Sequence, residues 1–92
     1  MVWRIEIAPD AKKELDKLDI QVTRRILTFL HRRLSSLKNP RSIGDALKEP
    51  KYGEYWRYRV GDFRIIVRIE DDALLILVLR VGHRKQVCKQ HH

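Results

Sequence analysis

The chain predicts a two-layer α+β domain, with a helical hairpin packed on one face of a mainly antiparallel four-stranded sheet in the order β-α-α-β-β-β. Three observations predict it. Polarity alternates with a period of two at the N-terminus, switches to a helical period over residues 9–37, and returns to alternation in three runs between about 54 and 81. Ninety-two residues build one core, not two. Residues 1–90 therefore read as a single domain, and His91-His92 as the remnant of a purification tag.

Each element has its own signal. Trp3, Ile5 and Ile7 alternate with Arg4 and Glu6, the pattern of a half-buried strand. Pro9 suits a first helical turn, where its missing N–H is not needed. Ala11, Leu15 and Leu18 follow at i, i+4 and i+7, with Lys12, Lys13, Glu14, Asp16 and Lys17 on the other faces. Asp19 reads as the N-cap of a second helix. That helix should bury Val22, Ile26, Leu30, Leu34 and Leu37, with Phe29 flanking, and expose Arg24, Arg25, Arg32 and Arg33. The short connection implies an antiparallel helical hairpin. Asn39-Pro40 stops the second helix, because the residue before proline is pushed out of the α region. Residues 38–53 carry Pro40, Gly44, Pro50 and Gly53 and read mostly as loop. Strands follow at about 54–60, 63–70 and 73–81, with a turn at Asp71-Asp72. Ala73 to Val81 is apolar apart from Arg80, as expected of a central strand covered on both faces.

The most informative segment is Tyr55-Trp56-Arg57-Tyr58-Arg59-Val60-Gly61-Asp62-Phe63-Arg64. In a hairpin turning at Gly61-Asp62, Arg57 and Arg59 share a face with Tyr55, while Trp56, Tyr58 and Val60 share the other. Phe63, Ile65, Val67 and Ile69 form an apolar set, opposed to Arg64, Ile66 and Arg68. If both apolar sets enter one core, the arginines gather on the open face. Such crowding of like charge is unfavourable unless something compensates for it. A bound phosphate would do so.

Composition agrees. Twenty Lys+Arg against twelve Asp+Glu give a formal net charge of +8, which favours an anionic partner and salt-sensitive encounter. No stretch approaches the ~20 apolar residues of a membrane span, and the N-terminus lacks the apolar core of a signal peptide. A lone cysteine, Cys88, forms no internal disulfide, which suits a reducing, cytoplasmic setting. There is no Cys-x-x-Cys pair, no His-x-x-x-His spacing and no carboxylate cluster, so no metal site is expected. A phosphate-binding glycine loop is also lacking. Lys12, Lys13, Arg24, Arg25, Arg32, Arg33 and Lys85 form a second candidate set of RNA-binding cations, and an ordinary solvated helix face explains most of them equally well.

These residues also resemble a known family. Asn39-Pro40, Leu47-Lys48, the hairpin from Tyr55 to Ile66, and Val81-Gly82-His83-Arg84-Lys85-Gln86-Val87 are similar to the RelE toxins of the RelE/ParE superfamily. So is the opening Pro9-x-Ala11-x-x-x-Leu15 helix. The likeness spans nearly the whole chain and implies a type II toxin–antitoxin toxin that enters the ribosomal A site and cuts mRNA without a cofactor. The family reaction is attack of the ribose 2′-OH on the adjacent phosphate. Its catalytic cations fall on Arg57, Arg59, Arg64 and Arg84. Its C-terminal tyrosine falls at Cys88, where a thiol cannot stack on a base.

Cys88 points either to an attenuated enzyme or to a thiolate, lowered by Arg84 and Lys85, acting as base. His83 is a further titratable candidate for proton transfer. The resemblance implies an acidic, amphipathic antitoxin as partner, with ribosome and mRNA as targets and operator DNA met only through the antitoxin complex. Two other readings stay open: a ParE-like inhibitor of DNA gyrase, and a catalytically silent protein that binds antitoxin alone.

Overall fold

Strand β1 (Arg4–Ile7) opens the fold in a computed structural model that describes residues 2–47 and 55–83. Its lead-in is tied down before it begins, because the Val2 and Trp3 amides both donate to the Ser35 carbonyl at 3.0 Å. Helix α1 (Pro9–Asp16) follows, with Pro9 in its first turn. Ala11 and Leu15 are buried against the sheet. Helix α2 spans Ile20–Thr28, and the Thr23 hydroxyl donates to the Leu15 carbonyl at 2.9 Å, locking the corner between the two helices. Asp19 stands at the N-cap as expected, but its side chain accepts no capping hydrogen bond.

The second helix does not stay α-helical. A π turn covers Phe29–Arg33 and a 3-10 turn covers Leu34–Ser36. Ser35 and Ser36 contribute, since their hydroxyls bond back to the carbonyls of His31 and Arg32, a competition that distorts helices. The buried side remains continuous through Ile26, Leu30 and Leu34. Truncating any one of these to alanine should cost roughly 2–5 kcal/mol.

The segment expected to be mostly loop holds structure. Asn39 caps a 3-10 turn over Pro40–Ile43, its side chain accepting from the Arg41 amide at 3.1 Å. Strand β2 (Asp45–Ala46) then adds a fifth strand to the four expected. It pairs antiparallel with β3 (Tyr55–Val60), Asp45 opposite Arg57 and Ala46 opposite Trp56. Two residues carry too little pattern to be recognised as a strand; the pairing decides it. Gly44 allows a close approach here, because an added Cβ would sit 2.9 Å from the Tyr58 ring.

Strand β4 (Phe63–Glu70) pairs antiparallel with β3 and with β5 (Leu75–His83), and β1 pairs parallel with β5. The sheet order is β1-β5-β4-β3-β2. Gly61 in the β3–β4 turn has φ 60°, and Asp62 has no positive φ. This is the pattern of a II′ turn, which takes glycine at its first central position. The helices cover one face of the sheet, enclosing Tyr58, Ile65, Val67, Ile76 and Val78.

Strand β5 is interior, as its apolar run suggested, but only one of its faces is covered. Leu75, Leu77 and Leu79 on the other side are only half-buried. The register shifts between Ile66, opposite Arg80, and Val67, opposite Val78, leaving Leu79 as an extra residue. This bulge returns Val81 to the core. It also brings Arg80 to Glu14 of α1, with bonds of 3.0 and 3.2 Å, while Glu14 accepts the Val81 amide at 3.0 Å. A carboxylate thus closes the part of the β5 edge that β1 does not cover.

Candidate nucleic-acid interface

The alternation expected of the hairpin is present. Tyr58 and Val60 are buried on the helix side. Arg57, Arg59 and Arg64 lie on the open face, Arg59 directly opposite Arg64 and Arg57 opposite Ile66. The three cations are not equivalent. Arg57 has a countercharge, its Nη2 lying 3.6 Å from Oδ2 of Asp45, and its Nε is buried without a hydrogen-bond partner. Neither Arg59 nor Arg64 has a carboxylate partner among the described residues.

Like charges directly opposite across a ladder are destabilising, so an anion seated at the Arg59–Arg64 pair would relieve their repulsion. Both line a notch of about 100 Å³ with Gly61, Asp62 and Phe63. Across from Arg64 on the other side stands Gly82, which puts no side chain into the space beside the guanidinium. Farther from the turn the charges are neutralised. Arg68 lies 2.6 Å from Glu70, as an ion pair not aligned as a hydrogen bond, and Arg4 lies 3.1 Å from Glu6.

The other expected site residues divide three ways. Arg84, Lys85 and Cys88 lie outside the described residues. His83 is opposite Phe63 and meets its ring edge-on at 5.3 Å, so it belongs to the face of the sheet opposite Arg64 and does not join the arginine notch. Of the helical cations, Arg25, Arg32 and Arg33 line a groove with Arg59, whereas Lys12, Lys13 and Arg24 are exposed elsewhere. Among the described residues no group of three or more His, Cys, Asp and Glu is placed to hold a metal ion, and no helix is long and apolar enough to cross a membrane. Asp45 was not legible as a site residue, since only the β2–β3 pairing sets it beside Arg57.

Beneath the site, Tyr58 fixes the strand that carries Arg57 and Arg59. Its hydroxyl donates to the Pro40 carbonyl at 2.6 Å, and its ring packs on Phe29 at 5.8 Å. Burial pushes its phenol up to about 12, with nearby Arg41 opposing the shift. Arg41 in turn lies over the Trp56 ring at 5.9 Å and holds Asp71 with two bonds of 2.9 and 2.8 Å. Those bonds lower the Asp71 pKa.

The structure is thus a small two-layer α+β domain that carries a cluster of guanidinium groups on a hairpin. Residues 5–88 match the family described as ParE toxin of type II toxin–antitoxin system, parDE. The chain belongs to this family, within the RelE/ParE superfamily of type II toxins. It is 26% identical to Toxin RelG of Mycobacterium tuberculosis over 90 residues, covering 98% of this chain and 100% of that protein.

Among solved structures it resembles the RelBE2 toxin–antitoxin complex of M. tuberculosis, with TM-score 0.81 and 25% identity over 91% of this chain and 93% of that one. The archaeal RelE–RelB complex of Pyrococcus horikoshii OT3 gives TM-score 0.71 and 29% identity, covering 91% and 97% of the two chains. The two-layer fold is thus that of the RelE toxins.

Proposed function

We propose that this toxin is a ribosome-dependent endoribonuclease that cuts mRNA in the A site and so arrests translation. The observation that carries the reading is the Arg59–Arg64 notch, two opposed guanidiniums that make no ion pair among the described residues, beside Gly82. In the proposed reaction the ribose 2′-oxygen bonds to the adjacent phosphorus and the bond to the 5′-oxygen breaks. Products are a 2′,3′-cyclic phosphate and a 5′-hydroxyl, the 2′-OH proton going to a base and another proton reaching the leaving oxygen. Negative charge grows on the non-bridging oxygens, and fixed guanidiniums stabilise it without reorganising. Arg57, held by Asp45, flanks the path as a positioned cation. Arg84 is the fourth cation of the reading. Cys88, at the family's tyrosine position, makes this chain an attenuated enzyme.

The neighbours solved as toxin–antitoxin complexes support an antitoxin partner for this chain, acidic enough to cover the arginines. Primer extension on programmed ribosomes tests the reading with the parent chain, Arg64→Ala and Cys88→Tyr. Cleavage within the A-site codon, abolished by Arg64→Ala and raised by Cys88→Tyr, is expected. Absence of cleavage by both the parent and Cys88→Tyr would sink it. The match to the ParE description favours gyrase inhibition as the second reading, and inhibition of DNA supercoiling by the purified chain would establish that instead.

A further inference from the structure

Between α2 and the β3–β4 turn lies a groove of about 470 Å³. Arg25, Arg32, Arg33 and Arg59 line it together with the apolar Phe29, Ile43 and Val60. Three features make it more than a solvated helix face. Arg25, Thr28, Phe29 and Arg32 follow at i, i+3, i+4 and i+7, a single helical stripe, and the π turn over Phe29–Arg33 carries both Arg32 and Arg33 to the same groove. The Arg25 guanidinium lies across Gly61, its Nη1 only 3.1 Å from where a Cβ would stand, so a residue without a side chain seats it. None of the four cations has a carboxylate partner among the described residues.

Arg59 links this groove to the sheet face. β2 pairs only with Trp56 and Arg57, so β3 is an uncovered edge at Arg59 among the described residues. The long side chain there lines both the groove and the Arg59–Arg64 notch.

We infer that the groove is a second phosphate-binding site, seating the backbone of the same RNA strand as it passes around the hairpin tip from the sheet-face notch. This rests on the nuclease reading and extends the RNA path beyond the reacting phosphate. Arg59 is the pivot, touching phosphates on both sides. Continuity through one shared arginine favours a nucleic-acid strand over an acidic peptide, which would need the groove alone.

The test is fluorescence anisotropy with labelled, uncleavable 2′-O-methyl RNAs of about three and roughly twelve nucleotides, titrated over a salt series. The full chain is compared with Arg32→Gln/Arg33→Gln, and with Arg24→Gln as a charge control outside the groove. All three positions are exposed, so the variants should fold. The double variant should lose roughly 100-fold in affinity for the longer RNA, two charge-assisted contacts at about tenfold each. Its salt slope should shrink by about 1.4, two single-strand phosphate contacts. The loss should be confined to the longer RNA and be much smaller for Arg24→Gln.

Equal losses in both single-charge and groove variants, or an unchanged salt slope in the double variant, would overturn the inference. So would a double variant that loses polyglutamate binding while keeping the RNA, which would make the groove a protein site. Failure of the parent chain to bind either RNA would overturn the inference, whereas the nuclease reading stands or falls separately on A-site cleavage by programmed ribosomes.

Discussion

The two ends of the sheet treat positive charge in opposite ways. At the β4–β5 turn every described arginine has a carboxylate: Arg41 holds Asp71 bidentately and Arg68 lies against Glu70. At the β3–β4 turn Arg59 and Arg64 face each other with no ion pair among the described residues, although Asp62 lines the same notch, and Arg25 lies across the same turn. Arg57, between the ends, is paired with Asp45 at 3.6 Å. The same residue type therefore serves packing at one end and leaves a strong field at the other. The unpaired end is the one expected to bind, because an unneutralised cluster gains most from an incoming phosphate.

The largest expected effect is a break in that contrast. Arg64→Ala should lower A-site cleavage by about 10²–10³-fold, the scale for losing one preorganised group at a developing oxyanion. Arg68→Ala should leave cleavage within a few-fold. Equal losses from both substitutions, measured as single-turnover rates on programmed ribosomes, would erase the distinction between the ends.

Next comes the tyrosine beneath the arginine strand. The folded Tyr58 phenol is raised from 10.0 to about 12, so the fold favours its neutral form. Its contribution is complete below pH 10 and is lost as pH rises toward the folded value, amounting to about 2–3 kcal/mol. Urea unfolding across that window should show the decline, and Tyr58→Phe should flatten it. At neutral pH the same substitution should cost about 1–2 kcal/mol, because the buried Pro40 carbonyl loses its donor.

Smaller effects sharpen the view of the paired end. Leu74 holds φ 48° in the β4–β5 turn and is 48% exposed. A side chain is unfavourable there, so Leu74→Gly should stabilise by up to about 1 kcal/mol, read from the denaturation midpoint. Asp71→Asn should destabilise slightly and remove a weak acid limb. The lowered Asp71 pKa means its contribution is present above the ordinary carboxylate range and fades as pH falls through the folded value. Chemical denaturation as a function of pH checks both.

Much of this was legible beforehand. The hairpin from Tyr55 to Glu70 follows from strict alternation, which assigns Tyr58 and Val60 inward and Arg57, Arg59 and Arg64 outward once the turn is placed at Gly61. The helical hairpin follows from the spacing of Ala11, Leu15, Ile26, Leu30 and Leu34. Less followed where pattern gave way to context. Asp45–Ala46 is a strand only because β3 lies beside it. The open face of β5 was expected to be covered, because an apolar run does not say whether a second layer exists to meet it. Arg80, the exception in the apolar run of β5, is an edge-closing partner of Glu14, a pairing across 66 residues.

The amino-acid sequence by itself determined which arginines share a face, because a strand has a period of two and a one-residue slip would expose the core. It could not determine which of them would be neutralised. That depends on where Asp45, Glu70 and Asp71 come to rest, and on Arg25 reaching Gly61 from another layer. Those contacts exist only after the sheet and helices have packed, because Coulomb attraction follows distance in space, not separation along the chain.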